Sequence, residues 1–219
     1  MASIDTKQKL DIPLSMIVPE YQSKNPVVRW LFASRLRVAL EYVRATSAQV
    51  IADIGCGDGS FIKCIQAAHL PYQELYGLDL NPAVLDLART IPGVTFRVEH
   101  LEQTHLADSS IDAIVCLDTL EHMQDLRAPL LEFVRVVRPG GYLITSEPVE
   151  SVLYKSLRFL LKGTYSQESG PGAGVHYHNA RQIDAIVRKE GFRRLARRQV
   201  PLLWPFDLFH IALYQYTPQ

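Results

Sequence analysis

Apolar residues recur at helical spacing from Val28 to Val43, with Val28, Leu31, Phe32, Leu36, Ala39, Leu40 and Val43 on one stripe and Arg29, Ser34, Arg37, Glu41 and Arg44 off it. This pattern predicts an amphipathic helix in an N-terminal cap segment, residues 1–46, ahead of the main fold. The period then shortens. QVIADIG reads as a buried strand entering a glycine-rich turn, and SFIKCIQAAHL restores the helical period through Phe61, Ile65 and Ala68. The unit repeats: ELYGLDL is a strand, Asn81 caps the next helix with Pro82 at its first position, and AVLDLART continues it.

Strands VTFRV and IDAIVCL follow, then a helix around APLLEFVRVV, a turn at Pro139, Gly140 and Gly141, and strand YLITSEP. Strands alternating with helices predict an α/β, doubly wound, mostly parallel sheet covered on both faces. The stretch 150–178 is the least regular, combining SVLYKSLRFLLKG with the turn-rich SGPGAG, and is expected to be a substrate-side insert or lid. A last helix runs from about Asn179 to Glu190, capped by Asn179 and buried through Ile183, Ile186 and Val187. FRRLARRQV and FHIALYQY then close the sheet, giving seven strands in one domain over 1–219.

Composition narrows the class without adding chemistry. With 47% hydrophobic and 21% charged residues the chain is of ordinary globular type, and its formal net charge of zero gives no overall pull towards nucleic acid. Cys56, Cys64 and Cys116 form no CxxC pair and are odd in number, which argues against a disulfide framework. No apolar run approaches the roughly 20 residues that span a bilayer, and MASIDTKQKLDIP lacks a secretory pattern, so a cytoplasmic location is expected.

The sharpest chemical signal is DIGCGDG, Asp53 to Gly59, between the first strand and its helix. Glycine at 55, 57 and 59 lets the backbone bend tightly and approach a ligand, and the helix that follows presents its positive end. A dinucleotide fingerprint would need glycine where Ser60 stands, and the Lys-Ser/Thr ending of a Walker loop is missing. Asp79, at the end of the second strand, would accept hydrogen bonds from both hydroxyls of an unphosphorylated ribose; otherwise it is a turn or helix-cap aspartate.

DIGCGDG, then GLDLNP, LDTLEHM and VVRPGGYLITSEP occur in the order found in class I S-adenosylmethionine-dependent methyltransferases, and the chain resembles their small-molecule "type 11" group over roughly Val50 to Pro148. The resemblance implies a Rossmann-like sheet closed by an antiparallel hairpin, with S-adenosylmethionine as cofactor and S-adenosylhomocysteine as product. It also implies that Asp53, Gly55, Cys56 and Gly57 line the methionine end, that Asp79 holds the ribose, and that Leu80 presses on the adenine. His100 and Leu101 would close the adenine pocket, with Glu99 or Glu102 as alternatives for the polar contact. The backbone at Leu117 and Asp118 would meet the amino group.

Methyl transfer needs mainly alignment of acceptor, methyl and sulfur and exclusion of water. For a hydroxyl acceptor a histidine base is an addition, and His122 in the LEH turn after the fourth strand is the first candidate. Tyr21, His176 and His178 could reach the same mouth. No metal is expected. A metal-assisted reading would draw on Asp118, Glu121, His122, His176 and His178. A similar set serves the methyltransferases that cap small-RNA ends on the 2′-oxygen, but this chain has Asp118 where they carry glutamate, and no room for their RNA-binding domains.

The expected acceptor is a small or lipid-like molecule, methylated at oxygen. NPVVRWLFASRLRVAL, YKSLRFLLKG and PLLWPF combine aromatic, aliphatic and basic residues and suit peripheral membrane contact. The basic run Arg188, Lys189, Arg193, Arg194, Arg197 and Arg198 reads as a solvated face, so nucleic acid is not the expected partner. The alternatives are a non-catalytic module that binds the cofactor or its product, and an RNA 2′-O-methyltransferase. Oligomeric state is not legible.

Overall fold

A computed structural model of the chain describes residues 24–149, 176–200 and 208–218. The first helix, α1 (Pro26–Thr46), starts at Asn25, whose side chain accepts the Val27 N–H, with proline at its first position. It is followed by β1 (Val50–Ile54), α2 (Ser60–Ala67), β2 (Glu74–Asp79), α3 (Pro82–Ala88), β3 (Thr95–Val98) and β4 (Ile111–Leu117). A single 3₁₀ turn, Leu120–His122, leads to α4 (Arg127–Val136) and β5 (Val137–Pro148). The chain closes with α5 (Ala180–Lys189), β6 (Phe192–Val200) and β7 (Phe209–Tyr216).

The seven strands lie in the order β3-β2-β1-β4-β5-β7-β6, all parallel except β7, which runs antiparallel to both neighbours. Two apolar layers cover the sheet. Leu36, Leu40, Phe61, Ile65 and Leu85 of α1, α2 and α3 form one with Ile51, Val115 and Ile144; Leu130, Phe133, Ile183 and Val187 of α4 and α5 form the other with Ile54, Ile114 and Leu143. Each such aliphatic side chain taken fully out of water contributes roughly 1.5–3 kcal/mol. Burial on both faces is why β4 reads IDAIVCL, apolar almost throughout rather than alternating.

The chain leaves β1 towards β2 on one side and reaches β4 on the other, so a crevice opens beyond the carboxyl ends of β1 and β4, where ligands of such sheets bind. Two elements differ from the sequence reading. The expected turn at Pro139–Gly141 lies inside β5, whose pairing with β4 jumps from Ile111↔Val137 to Ala113↔Tyr142. A bulge absorbs these residues, with Gly140 at φ +80 and Gly141 so close to the Arg138 carbonyl that a Cβ would come within 2.9 Å of it. The basic run is also partly paired: Arg194 meets Asp184 at 2.6 Å, and Arg198 meets Glu41 and lies over the Tyr42 ring. No described helix is long and apolar enough to cross a membrane.

Candidate active site

The glycine turn after β1 is anchored to β2. Gly55 and Cys56 N–H both donate to the Leu78 carbonyl, at 2.7 and 3.0 Å, and Gly57 N–H donates to Asp79 Oδ2 at 2.9 Å. Gly55, Gly57 and Gly59 all take positive φ, which explains the residue choice first by conformation. Space is the second reason. A Cβ on Gly55 would lie 2.3 Å from Thr119 Oγ1, and one on Gly59 2.5 Å from Ile91 Cδ1, so at these two positions the missing side chain makes room for neighbouring protein. The start of α2 is likewise engaged by the chain itself: Asp58 Oδ1 accepts from Ser60 N–H at 3.1 Å and Ser60 Oγ at 2.8 Å.

Three carboxylates gather at this turn. Asp53 is 2% exposed, and its Oδ2 has no hydrogen-bond partner among the described residues. Burial, reinforced by the charges of Asp79 and Asp58, pushes the Asp53 carboxyl up to about 8. An electron-rich, dehydrated pocket of this kind suits a cation; the amino group of an amino-acid tail would relieve both the orphaned oxygen and the mutual repulsion. Asp79 is the turn and helix-cap aspartate that the sequence allowed. Its Oδ1 caps Asn81 N–H at 2.9 Å and its Oδ2 holds Gly57, yet a carboxylate has about four lone-pair directions, which leaves capacity for sugar hydroxyls.

Beside Asp79, Leu80 is 51% exposed, whereas Leu101 is 9% exposed and belongs to the core under α4. Leu80 is thus open to a ligand face and Leu101 is mainly structural. A cavity of about 570 Å³ opens next to them, lined by Val98, Glu99, His100, Glu102, Gln103, His105 and Ala128. Within it Glu99 is buried and committed to His105, accepting its backbone N–H at 3.0 Å, with Arg97 also near. His100 and Glu102 are exposed and remain available at the cavity wall.

Cys56 is buried, its Sγ 3.7 Å from the Gly57 carbonyl, and burial beside Asp53 holds the thiol protonated. It therefore lines the turn as a small apolar group. All three cysteines are buried and unbridged.

Beyond β4, Leu117 is half-buried and Asp118 adopts φ +50, a left-handed conformation uncommon outside glycine. Its N–H donates to the Ser146 carbonyl at 2.7 Å, and its carboxylate accepts from Ser146 Oγ and pairs with Arg35. Arg35 is the functional-site neighbour that sequence reading missed. It is 6% exposed on the buried face of α1, its guanidinium about 5 Å from the centroids of Phe32 (5.1 Å) and Phe209 (5.0 Å). Its spacing gave a signal, four residues after Leu31 and four before Ala39 on the apolar stripe.

The 3₁₀ turn places Glu121 in the interior and His122 at the surface. Tyr177 N–H donates to the Glu121 carbonyl at 2.8 Å, and His178 Nε2 lies 3.2 Å from the Gln124 carbonyl, tying the segment before α5 to this turn. His122 and His176 meet edge to face, ring centroids 4.9 Å apart. Of the five residues named for a metal-assisted reading, Glu121, His122 and His176 converge, each with one ligand atom within 4.8 Å of the others. Asp118 and His178 are engaged elsewhere. Tyr21, residues 150–175 of the expected lid, and PLLWPF lie outside the described residues.

Residues 52–145 match the family model described as "Methyltransferase domain". The chain is 30% identical over 170 residues to a ubiquinone biosynthesis O-methyltransferase of Alkalilimnicola ehrlichii, covering 70% of this chain and 67% of that one. It is 25% identical over 178 residues to a demethylmenaquinone methyltransferase of Chlorobaculum parvum, covering 74% and 72%. The share of a curated relative's length that it spans differs from one to another, 33% in one case and 80% in another. In fold it is similar to the N-methyltransferase NodS of Bradyrhizobium japonicum, solved with S-adenosylhomocysteine, at TM-score 0.64 and 18% identity over 91% of this chain and 92% of that one. The glycine turn, the carboxylates around it and strands β2, β3 and β4 fall within residues 52–145, and the chain belongs to the S-adenosylmethionine-dependent methyltransferases.

Proposed function

We propose that the chain methylates a hydroxyl oxygen of a small, lipid-like acceptor of the phenol or quinone-precursor kind. The observation that carries this reading is the cluster of Glu121 and His122, in the turn beyond β4, with His176 from the segment before α5; β4 neighbours β1, which bears the glycine turn. The relatives named for ubiquinone biosynthesis and demethylmenaquinone support the acceptor class. Exposed Val27 and Trp30 at the start of α1, 66% and 55% accessible, support contact with an apolar acceptor or a membrane surface.

When bound, S-adenosylmethionine supplies a methyl group activated by a sulfonium. In this reading Asp53 and the backbone of Gly55, Cys56 and Gly57 receive the amino-acid end, together with the backbone of Leu117 and Asp118. Asp79 takes the ribose hydroxyls, while Leu80 and His100 bound the adenine, with Leu101 as the floor behind them. Arg35 keeps Asp118 in its left-handed conformation. A cofactor held there would supply its methyl carbon to the acceptor oxygen, with the neutral thioether as the leaving group. The hydroxyl proton is taken up in the cluster, His122 being the exposed member and His176 its ring neighbour; such proton transfer contributes typically ~10²- to 10⁴-fold. A nucleic-acid acceptor is not favoured, because Arg194 and Arg198 already serve Asp184 and Glu41.

The test is incubation of the purified chain with methyl-labelled cofactor and a panel of catechols, quinols, small acids, lipids and RNA. Label in a phenolic or quinol oxygen, lost with His122→Ala, is the expected result. Label only in RNA, or in carbon or nitrogen acceptors alone, overturns the reading.

A further inference from the structure

The geometry points to a divalent-cation site formed by Glu121, His122 and His176, of the class that takes zinc or a similar first-row ion. One carboxylate oxygen and two imidazole nitrogens, drawn from two segments far apart in sequence, have ligand atoms mutually within 4.8 Å. That donor set matches borderline first-row metals rather than magnesium or calcium, which prefer oxygen alone. Zinc–nitrogen bonds of about 2.0–2.1 Å put neighbouring ligand atoms of a tetrahedron roughly 3.3 Å apart. The separations therefore have to contract by at most about 1.5 Å, within the reach of χ rotations of the two imidazoles, of which His122 is exposed and His176 half-buried.

The backbone has already been brought into place. The Tyr177 N–H to Glu121 carbonyl bond and the contact of His178 with the Gln124 carbonyl hold the two segments side by side, so that ligation would order only side chains. Glu121, 1% exposed, would bring one negative charge from the interior, and the His122–His176 edge-to-face contact sets both rings at one place. Cys116 does not join them as a thiolate, since burial and the charges of Glu121 and Glu147 hold its thiol protonated. Three protein ligands leave coordination positions for water or for an acceptor oxygen. With an ion in place His122 would be a ligand rather than the base, and the ion would lower the pKa of a bound acceptor hydroxyl, whose proton would pass to solvent water. In this respect the inference deepens the acceptor reading above and rests on it for the oxygen that the ion would meet.

The test uses the tag-free full chain, stripped with a chelator and titrated with Zn²⁺ by calorimetry and with Co²⁺ by visible absorption. One saturable ion per chain is expected, together with a Co²⁺ d–d band. His122→Ala and His176→Ala should each weaken binding by at least about 10- to 100-fold, the loss that even an outer-sphere partner of a metal site produces. Both variants should keep S-adenosylhomocysteine binding, which shows that they are folded, and His69→Ala should bind zinc as the wild type does. Absence of saturable Zn²⁺ and Co²⁺ binding, or binding that survives both substitutions, overturns the site. If oxygen methylation then persists in chelated enzyme, the acceptor reading stands without the ion; if zinc binds as expected and no hydroxyl acceptor is methylated, the acceptor reading alone has failed.

Discussion

Replacing Asp53 with asparagine should stabilise the fold and weaken the cofactor pocket at once. The carboxyl is carried from its ordinary value near 3.8 to about 8 by burial and by Asp79 and Asp58. Between those values the unfolded chain is ionised and the folded one protonated, so the unfolded state binds fewer protons and stability falls as pH rises from about 4 to about 8. At pH 7 the folded chain holds the proton about 3 units above the ordinary value, which at 1.4 kcal/mol per unit is about 4 kcal/mol as an upper bound. Relaxation and water penetration bring such figures down by about half, to ~2 kcal/mol. Asparagine keeps the shape and removes the titration, so Tm at pH 8 should rise by about 4–8 °C for a domain of this size, and the gain should vanish near pH 4. Thermal unfolding of cofactor-free protein followed by circular dichroism at both pH values reads this directly. Calorimetry on the same variant should show weaker S-adenosylhomocysteine binding. A Tm unchanged or lowered at pH 8, or an affinity equal to wild type, refutes the electrostatic account of Asp53.

Glu147 offers a control on that reasoning. It is 2% exposed and likewise raised to about 8 by burial, so Glu147→Gln should raise Tm at pH 8 and not at pH 4, while leaving S-adenosylhomocysteine affinity intact. Gly55→Ala combines a left-handed φ of +76 with a Cβ 2.3 Å from Thr119 Oγ1. It should cost about 2 kcal/mol or more and abolish tight cofactor binding, and Thr119→Ala in the same chain should recover part of the stability, measured by urea unfolding. Arg35→Met strands the Asp118 carboxylate, whose side chain is 23% exposed against 8% for Arg35. Breaking a fully buried pair costs about 3–5 kcal/mol, and partial exposure reduces this to about 1–3, which Asp118→Asn in the same chain should largely restore.

The parallel core was legible because its strands are short apolar runs with a turn after each and its helices carry a clean stripe; Asn81 and Asn179 cap as expected, and Asn25 does so as well. Pro139–Gly141 misled because the same residues that make a turn also make a bulge, and only the partner strand decides between them. The tight bend over Asp53 to Gly59 was legible from its glycines, but the side chains packed beside them were not. Positive φ is local, whereas Thr119 and Ile91, which fill the space of two missing side chains, come from distant segments. Arg35 escaped notice because a charged residue on an apolar stripe makes sense only once its partner, Asp118, is seen across the fold. The separation of His176 from His178 was equally out of reach: both could approach the LEH turn, and the hydrogen bond from Tyr177 to Glu121 decides which one does.

The most direct test of the pocket is calorimetric titration of S-adenosylhomocysteine into purified, cofactor-free wild-type chain and Asp79→Ala. One saturable site per wild-type chain is expected, weakened about 10- to 100-fold in the variant, the effect of losing a charged hydrogen bond worth about 1.5–3 kcal/mol. Equal binding by the two proteins, or no binding by the wild type, would contradict the placement of the cofactor between the glycine turn and Asp79.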